Sequence, residues 1–511
     1  MRFRPSAAAI VCLAAGAACG SQPAGPPGLA IENARIVDGT GAASFRGAVR
    51  IVDGRIAAVG PDVAAAAGDE VVDAGGLVLA PGFVDTHSHA DREILERLDA
   101  TAAVSQGITT VVVGQDGFHP YPLAEYRAAL EAAPATVHVA SYIGHNTLRG
   151  MVLGDDFRRE ATADEVTEMR RMLESELEAG ALGFSTGLEY DPGIYSSTEE
   201  VIELAHAAAA VGGRYISHLR SEDRWFREAV EEIIRIGGET GMPVQIGHAK
   251  LALKSLWGEA PWFLGRLDEA RAAGVDITLD IYPWPYWQST LSVMFPKRDF
   301  EDLEEARFVV SEMAPPEGVL IPTYAPEPAW AGRTLADIAE ERGEEPAAVL
   351  LDLIRRAEAM RADPATPPGI RIESVIATSM DEDDIAAIFA WEHANLSTDG
   401  ELFGAHPRGF GSFPRALRQF VRERQILSLE QAVRRMTSLA ADHMGWVDRG
   451  RIAPGMPADL VLFDPETIAE RATPDDPHAL SVGIHRVLVG GETVFLDGLV
   501  TDARPGAFLT R

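Results

Sequence analysis

Cysteine is almost absent: the 511 residues hold two, Cys12 and Cys19, both within the first nineteen. Once that stretch is removed, the chain has no disulfide, no cysteine nucleophile and no thiolate for a metal. Positive charge is also scarce, with 45 Lys+Arg against 77 Asp+Glu and a net charge of −32. Such a surface repels phosphate backbones and anionic headgroups, which argues against nucleic acid and against membrane attachment through basic patches. No later segment approaches eighteen uninterrupted apolar residues, so no transmembrane helix is expected. No G-x-G-x-x-G follows the first strand of the α/β region, which removes the usual mark of a dinucleotide-binding open sheet.

Residues 1–19 stand apart. Two arginines in "MRFRPS", the short apolar run "AAAIVCLAAGAA" and small residues before Cys19 have the layout of a secretory signal. The small residues, then Cys19-Gly-Ser, resemble a bacterial lipoprotein processing site, although Gly16 stands where leucine is usual. A lipid anchor at Cys19 is then the one expected route to a membrane; ordinary cleavage near Ala17 or Ala18 would release a soluble periplasmic protein. Either way the expected address is outside the cytoplasm.

After a Pro/Gly linker (20–28), residues 29–80 read as short β-branched strands separated by Asp-Gly turns, and the same texture returns over 447–511. The two segments are expected to form one small β-sandwich domain from both chain ends. Between them, 81–446 alternates apolar runs with amphipathic stretches that end in glycine, eight β–α units in all. That count and order predict an α/β fold, a (β/α)8 barrel. The stretch from about 285 to 346, with "PWPYWQST" and acidic helical text, is too long for a connecting loop and is expected to be an inserted lid.

In such a barrel the residues at the C-terminal ends of the strands converge on one site. Those ends carry His87-Ser-His89, Gln115-Asp116, His218, His248 and Asp399. An H-x-H pair alone is weak, since thirteen histidines in 511 residues give about 0.3 such pairs by chance. Four histidines and two aspartates at five strand ends are a different matter, because neutral imidazoles and carboxylates are what Zn2+ and similar ions take. Asp116 sits between Gly114 and Gly117, a pattern that fits both a tight turn and a presented ligand.

"APGFVDTHSHAD", "ISHLRSE", "IGHAK" and "STDGELFGAHPRGFGSFPRAL" resemble the amidohydrolase superfamily, and within it the D-aminoacylases, or N-acyl-D-amino-acid deacylases. "GFSTGLEYDPGIYSSTEE" and "MTSLAADHMGWVDRGRIAPGMPADLVLFDP" extend the likeness over about 29–500. The resemblance implies a metal-dependent barrel with one or two divalent ions, zinc in the first instance. It makes His218 and His248 the ligands of the tighter metal, His87 and His89 those of a second, and Asp399 a catalytic aspartate that also faces the second metal. Where the family usually has a cysteine in "GNCG", this chain has Gln115-Asp116, so Asp116 is the expected replacement. The carboxylated lysine that bridges metals in many binuclear amidohydrolases is excluded at its usual strand, because the only lysines are Lys250, Lys254 and Lys297.

The implied reaction is hydrolysis of an N-acyl-D-amino acid to a carboxylate and a free amino acid, with Asp399 moving the proton. A small substrate with an α-carboxylate needs a cationic clamp, for which Lys250, Tyr282 and Arg408 are the candidates. Tyr195 of "PGIYSS" and His145 of "GHNTLR" also match family motifs, as substrate contacts or as support behind them. Alternatives are cleavage of a D-configured dipeptide or peptidoglycan fragment, a hydantoinase-like attack on a cyclic amide, and an inactive metal-stabilised binder. His119 is expected in a loop role, while His138, His206, His478 and His485 read as structural.

Overall fold

A computed structural model describes residues 27–367 and 369–511. The leader-like stretch, with Cys19, lies outside the described residues.

Eight strands form the barrel: β1 (Phe83–Asp85), β2 (Ile108–Val113), β3 (His138–Ser141, continued by Ile143–Gly144), β4 (Gly183–Gly187), β5 (Arg214–His218), β6 (Val244–Ile246), β7 (Ile277–Ile281) and β8 (Ala394–Leu396). Neighbours pair in parallel from β1 to β8. The seam is closed just past the strands: the Asp399 N–H donates to His87 O at 2.8 Å, and the His89 N–H to Gly400 O at 2.9 Å. β2 reads "ITTVVV" and is buried along its whole length, as a parallel strand covered on both faces must be. The surrounding helices start on strong caps. Thr162 and Glu165 form a reciprocal capping box before Ala163–Glu178, and Ser197 caps Thr198–Ala210.

The two chain ends meet in a nine-stranded sheet, in which Val78–Pro81 pairs antiparallel with Leu460–Phe463. The sheet curls until the Asp53-Gly54 turn packs on Gly490 and Gly491, so both layers of the sandwich belong to one hydrogen-bonded sheet. Strand alternation divides its two faces. Leu460 and Leu462 point into the small core with Ile31, Val49 and Leu79, whereas Val461 and Phe463 join the barrel core. The Phe463 ring lies 6.2 Å from Phe83 of β1, which itself stacks on Phe413 at 5.4 Å.

Two boundaries differ from the sequence expectation. Residues 501–511 leave the sheet and run along the barrel, where the Leu509 N–H donates to Val139 O and Arg511 Nη1 to Ala181 O. His138 serves this contact: its Nδ1 accepts the Ala507 N–H, and its Nε2 meets Asp459 at 3.2 Å. The insertion after β7 also runs past 346. Strand Glu373–Thr378 pairs with both Tyr286–Ser289 and Val319–Tyr324, so its sheet cannot close without the residues up to Thr378. This unit has its own apolar core, including Leu291, Ile321, Leu350 and Ile354. Three arginines tie it to the barrel: Arg224 to Glu305, Arg298 to Asp191, and Arg371 to Glu401.

Candidate active site

At the C-terminal ends of the strands lies a cavity of about 700 Å³, roofed by the inserted unit, with His89, Asp116, His218 and Asp399 among its lining. The residues there are set by the turns that end the strands. Asp116, His248 and Asp399 all adopt positive φ, at 55°, 32° and 48°. Non-glycine residues rarely do so, and such strained positions cluster at functional sites. Gly114 and Gly117 flank Asp116 because nothing larger fits. A Cβ would lie 2.2 Å from Tyr142 O at Gly114, and 2.2 Å from Asn146 Oδ1 at Gly117. Gln115 points the other way and ties the turn down, its Nε2 donating to Thr86 O at 3.0 Å.

Asp116 stands at the centre of the donor groups. Its Oδ1 lies 3.3 Å from His87 Nε2 and 3.1 Å from His248 Nε2, and its Oδ2 lies 3.2 Å from His89 Nε2. Asp399 Oδ1 is 3.1 Å from His89 Nε2 and 3.7 Å from His87 Nε2. His218 Nδ1 and His248 Nε2 face each other at 2.9 Å. Two overlapping groups therefore have donor atoms within 4.8 Å of one another: His87, Asp116, His248 and Asp399; and His218, Glu222 and His248.

These residues fit a metal. His87 is fully buried, yet neither of its ring nitrogens has a hydrogen-bond partner. Leaving such atoms unpaired in a protein interior is costly, and a cation among them removes the cost. Burial holds the His218 imidazole down at about 3, so it is neutral and free to ligate at neutral pH. Burial alone would raise the Asp116 carboxyl, but His248 and His87 outweigh it and hold Asp116 well below the usual carboxylate range. The donor set is nitrogen and oxygen only, which suits zinc and its neighbours among the divalent transition ions.

Behind the donors stand carboxylates that orient them. Asp280 at β7 accepts the His248 N–H at 2.9 Å, the Ser397 hydroxyl at 2.6 Å and the Gln245 amide at 2.7 Å. Asp85 at β1 accepts the Thr398 N–H at 2.9 Å across the barrel seam. Glu222 lies 3.1 Å from His248 Nδ1 and 3.0 Å from Lys250 Nζ, and Glu189 lies 3.0 Å from His218 Nε2. None of these four carboxylates stood out in the sequence as a site residue. Glu222 and Glu189 follow β5 and β4 by a few residues, so extending the strand-end rule beyond the last strand residue would have found them.

On the β7–β8 side, Arg408 Nη1 lies 2.5 Å from Asp399 Oδ2, while its buried Nε has no hydrogen-bond partner. Its guanidinium sits 4.9 Å from the centre of the Tyr282 ring, and Lys250 Nζ 5.6 Å from the same ring. Arg408 and Lys250 line the cavity. Tyr282 is fully buried beneath them, and its hydroxyl also lacks a hydrogen-bond partner. His406 completes this wall: its Nδ1 accepts the Arg408 N–H at 2.9 Å, and its Nε2 donates to Tyr286 O at 2.9 Å.

His145 and Tyr195 do not reach the cavity. His145 opens the helix His145–Leu153 and turns away, its Nε2 meeting Glu200 at 2.8 Å beside Arg149, which holds the same oxygen at 3.0 Å. Tyr195 packs its ring 5.8 Å from that of Phe157. Neither lines the cavity, although Tyr195 packs behind Phe157, which does. His119 does hold a loop, its Nδ1 accepting the Gly144 N–H at 3.0 Å. β4, "GFSTG", carries no lysine, so no carbamate can form there.

The amidohydrolase family pattern matches residues 70–315 and 331–495. The chain is 38% identical over 507 residues to an N-acyl-D-glutamate deacylase of Alcaligenes xylosoxydans xylosoxydans, covering 94% of this chain and 96% of that one. It is 35% identical to a D-aminoacylase of the same organism, covering 95% and 98%. A solved N-acyl-D-glutamate deacylase from Bordetella bronchiseptica, in complex with zinc and a phosphonate that mimics the tetrahedral intermediate, superposes with a TM-score of 0.83. It is 37% identical, over 94% of this chain and 99% of that one. The chain belongs to the amidohydrolase family, in its group of D-aminoacylases and N-acyl-D-amino-acid deacylases.

Proposed function

We propose that the protein hydrolyses N-acyl-D-amino acids, releasing a carboxylate and a free D-amino acid, with one or two zinc ions at the strand ends. The observation that carries this reading is the placement of Arg408. Its guanidinium has an unpartnered, buried Nε beside the donor cluster and contacts the carboxylate best placed for proton transfer. A substrate α-carboxylate supplies the missing acceptor. The relatives' names support the acyl-amino-acid class and the D configuration.

His87, His89, Asp116, His218 and His248 would hold the metal, with Glu222 within reach of the His218–His248 pair. When bound, a divalent ion there polarises the amide carbonyl and makes bound water acidic near neutral pH. Asp399 is kept ionised: burial would raise its carboxyl, but Arg408 and His248 outweigh that and hold it well below the usual range. It can therefore take the proton of the attacking water and return it to the leaving nitrogen. Arg408 fixes the α-carboxylate, and His406 fixes Arg408. Lys250 is already paired with Glu222, so its first task is to hold the His248 support in place. Export belongs to the same reading, supported by the signal-like residues 1–19, with lipidation at Cys19 as its finer form.

The test is a chiral panel of N-acetyl amino acids, D-dipeptides and hydantoins, assayed with purified protein before and after chelation and zinc return. Zinc-dependent hydrolysis of the D-acyl substrates is expected; hydrolysis confined to L-acyl or cyclic substrates would overturn the reading.

A further inference from the structure

Beyond the donor centre the cavity wall mixes apolar side chains with a dense set of charges. Five arginines line it besides Arg408: Arg92, Arg158, Arg298, Arg361 and Arg371. The chain as a whole has only 45 Lys+Arg and a net charge of −32, so cations are concentrated here. How each arginine is matched decides what the wall presents.

Two carboxylates are each shared by two arginines. Glu401 meets Arg92 at 2.5 Å and Arg371 at 2.9 Å. Asp191 meets Arg298 at 3.0 Å, while Arg158 lies 3.9 Å away. Each group therefore keeps one positive charge. Both groups sit where the inserted unit, with Arg298 and Arg371, faces loops of the barrel. Arg158 is the most loosely held of the five: its side chain is 65% exposed and lies over the Phe157 ring, 4.7 Å from its centre. The fifth arginine, Arg361, is bonded to Glu358 and lies 3.5 Å from Glu373. Burial pushes the Glu373 carboxyl up to about 7, so at neutral pH it offsets only part of a charge. Even with Glu373 fully ionised, these five arginines face four carboxylates. The outer wall is positive on a protein whose net charge is strongly negative.

An N-acyl-D-amino acid is an anion at neutral pH, and a net charge of −32 repels it. A positive zone around a cleft offsets that repulsion locally and raises the concentration of anions inside it. We propose that the Glu401 and Asp191 groups form a positive collar that draws the anionic substrate into the cavity, with Arg92 and Arg158 supplying its two excess charges. The inference rests on the deacylase reading above, which supplies the anion. The collar acts through space rather than by contact. At a separation of roughly 10 Å in water, one unit charge changes kcat/KM about twofold for a singly charged substrate. Salt removes the effect, because the screening length falls from about 30 Å at 0.01 M to about 3 Å at 1 M.

The experiment measures kcat/KM of the zinc-loaded enzyme in sodium chloride at about 0.01 M and about 1 M. Two N-acetyl-D-amino acids are compared, one with an aliphatic side chain and one charge, the other with a carboxylate side chain and two. Arg92→Gln with Arg158→Gln removes both excess charges and leaves the Arg371–Glu401 and Arg298–Asp191 pairs in place. At low salt this double variant is expected to lose about fourfold on the singly charged substrate and about 16-fold on the doubly charged one. At high salt it should match the parent, and the double Lys variant should match the parent throughout. A loosened fold would instead lower both substrates by one factor at either salt concentration. A loss that persists at high salt or ignores the substrate's charge, or no loss at all, would overturn the collar and leave the deacylase reading standing. Failure of the parent to hydrolyse any acyl-D-amino acid would overturn the deacylase reading and the collar with it.

Discussion

In the proposed reading Arg408 has two tasks: Arg408→Met removes both, and Arg408→Lys separates them. Arg408→Met removes the cation that faces the substrate carboxylate and the one 2.5 Å from Asp399 Oδ2. The first loss takes away one or two charge-assisted hydrogen bonds, each worth about 1.5–3 kcal/mol, or roughly 10- to 150-fold in kcat/KM per bond. The second acts on Asp399. Burial pushes its carboxyl up and Arg408 is the foremost group pulling it down, so without the guanidinium the carboxyl titrates higher. An opposite charge at this range shifts a carboxyl by about 1–3 units. If Asp399 acts as the ionised base, as proposed, activity is lost as pH falls through its titration, and the acid limb of the kcat/KM profile should move to higher pH. Arg408→Lys should restore the limb through its charge, but not KM, because an ammonium lacks the planar fork. Steady-state kinetics over pH with an N-acyl-D-amino acid and saturating zinc reads both effects. An Arg408→Met enzyme with unchanged KM and an unmoved acid limb would refute the clamp and the tuning together.

Asp116→Ala is expected to lower the metal bound per chain, measured by elemental analysis after gel filtration, since the two Asp116 oxygens face three histidines; unchanged content would return Asp116 to the role of a turn residue. Metal binding should release protons. His248 is held at about 9, its neighbouring carboxylates outweighing burial and Lys250, and it must lose its proton to ligate. Affinity should then rise with pH toward about 9 and level off above it, with calorimetry in buffers of different ionisation heat counting the protons; an affinity indifferent to pH between 6 and 9 would count against this. At the Ala163–Glu178 cap, the Glu165 carboxyl is held at about 2, first by its bond to Arg159. Its small stabilisation is complete above about 4.5 and is lost as pH falls through about 2. Glu165→Gln should therefore lower the melting temperature at pH 7 and converge with the parent near pH 2.

The barrel and its donor histidines were legible because both rest on local pattern. Apolar runs of four to six residues alternate with capped helices, and the polar residues directly after those runs are forced onto one face. Asp116 could be singled out by its position alone, and the contacts of Gly114 and Gly117 supply the reason for its neighbours. What the sequence hid depends on long-range pairing. The insertion ends at Thr378 rather than near 346 because Glu373–Thr378 completes a sheet begun at Tyr286, eighty-odd residues earlier. The tail 501–511 looks like more of the β domain, but its backbone pairs with Val139 of β3 instead. Which of the two expected roles His145 takes was hidden for a related reason. A residue that opens a helix beside a site can face either way, and Glu200, fifty-five positions on, decides the direction.

The buried charges show why the centre is built for a cation. Asp116, Glu222, Asp280 and Asp399 are all held below the usual carboxylate range despite burial, while Glu189 is pushed well above it by burial and by Asp223 and Glu222. Among the groups closest to the donors, four ionised carboxylates therefore face Lys250 and Arg408, an excess of two negative charges. Without a metal, protons on His87 and His248 supply the balance: both imidazoles are raised, although burial works against it. A single divalent ion carries the same charge as those two protons. Uptake of a first divalent ion is therefore expected to displace protons from His87 and His248 and to leave the local charge little changed. The surrounding carboxylates need not move or titrate when the metal enters. This accounts for a chain that, having no thiolate to offer, could place a fourth carboxylate in the same small space.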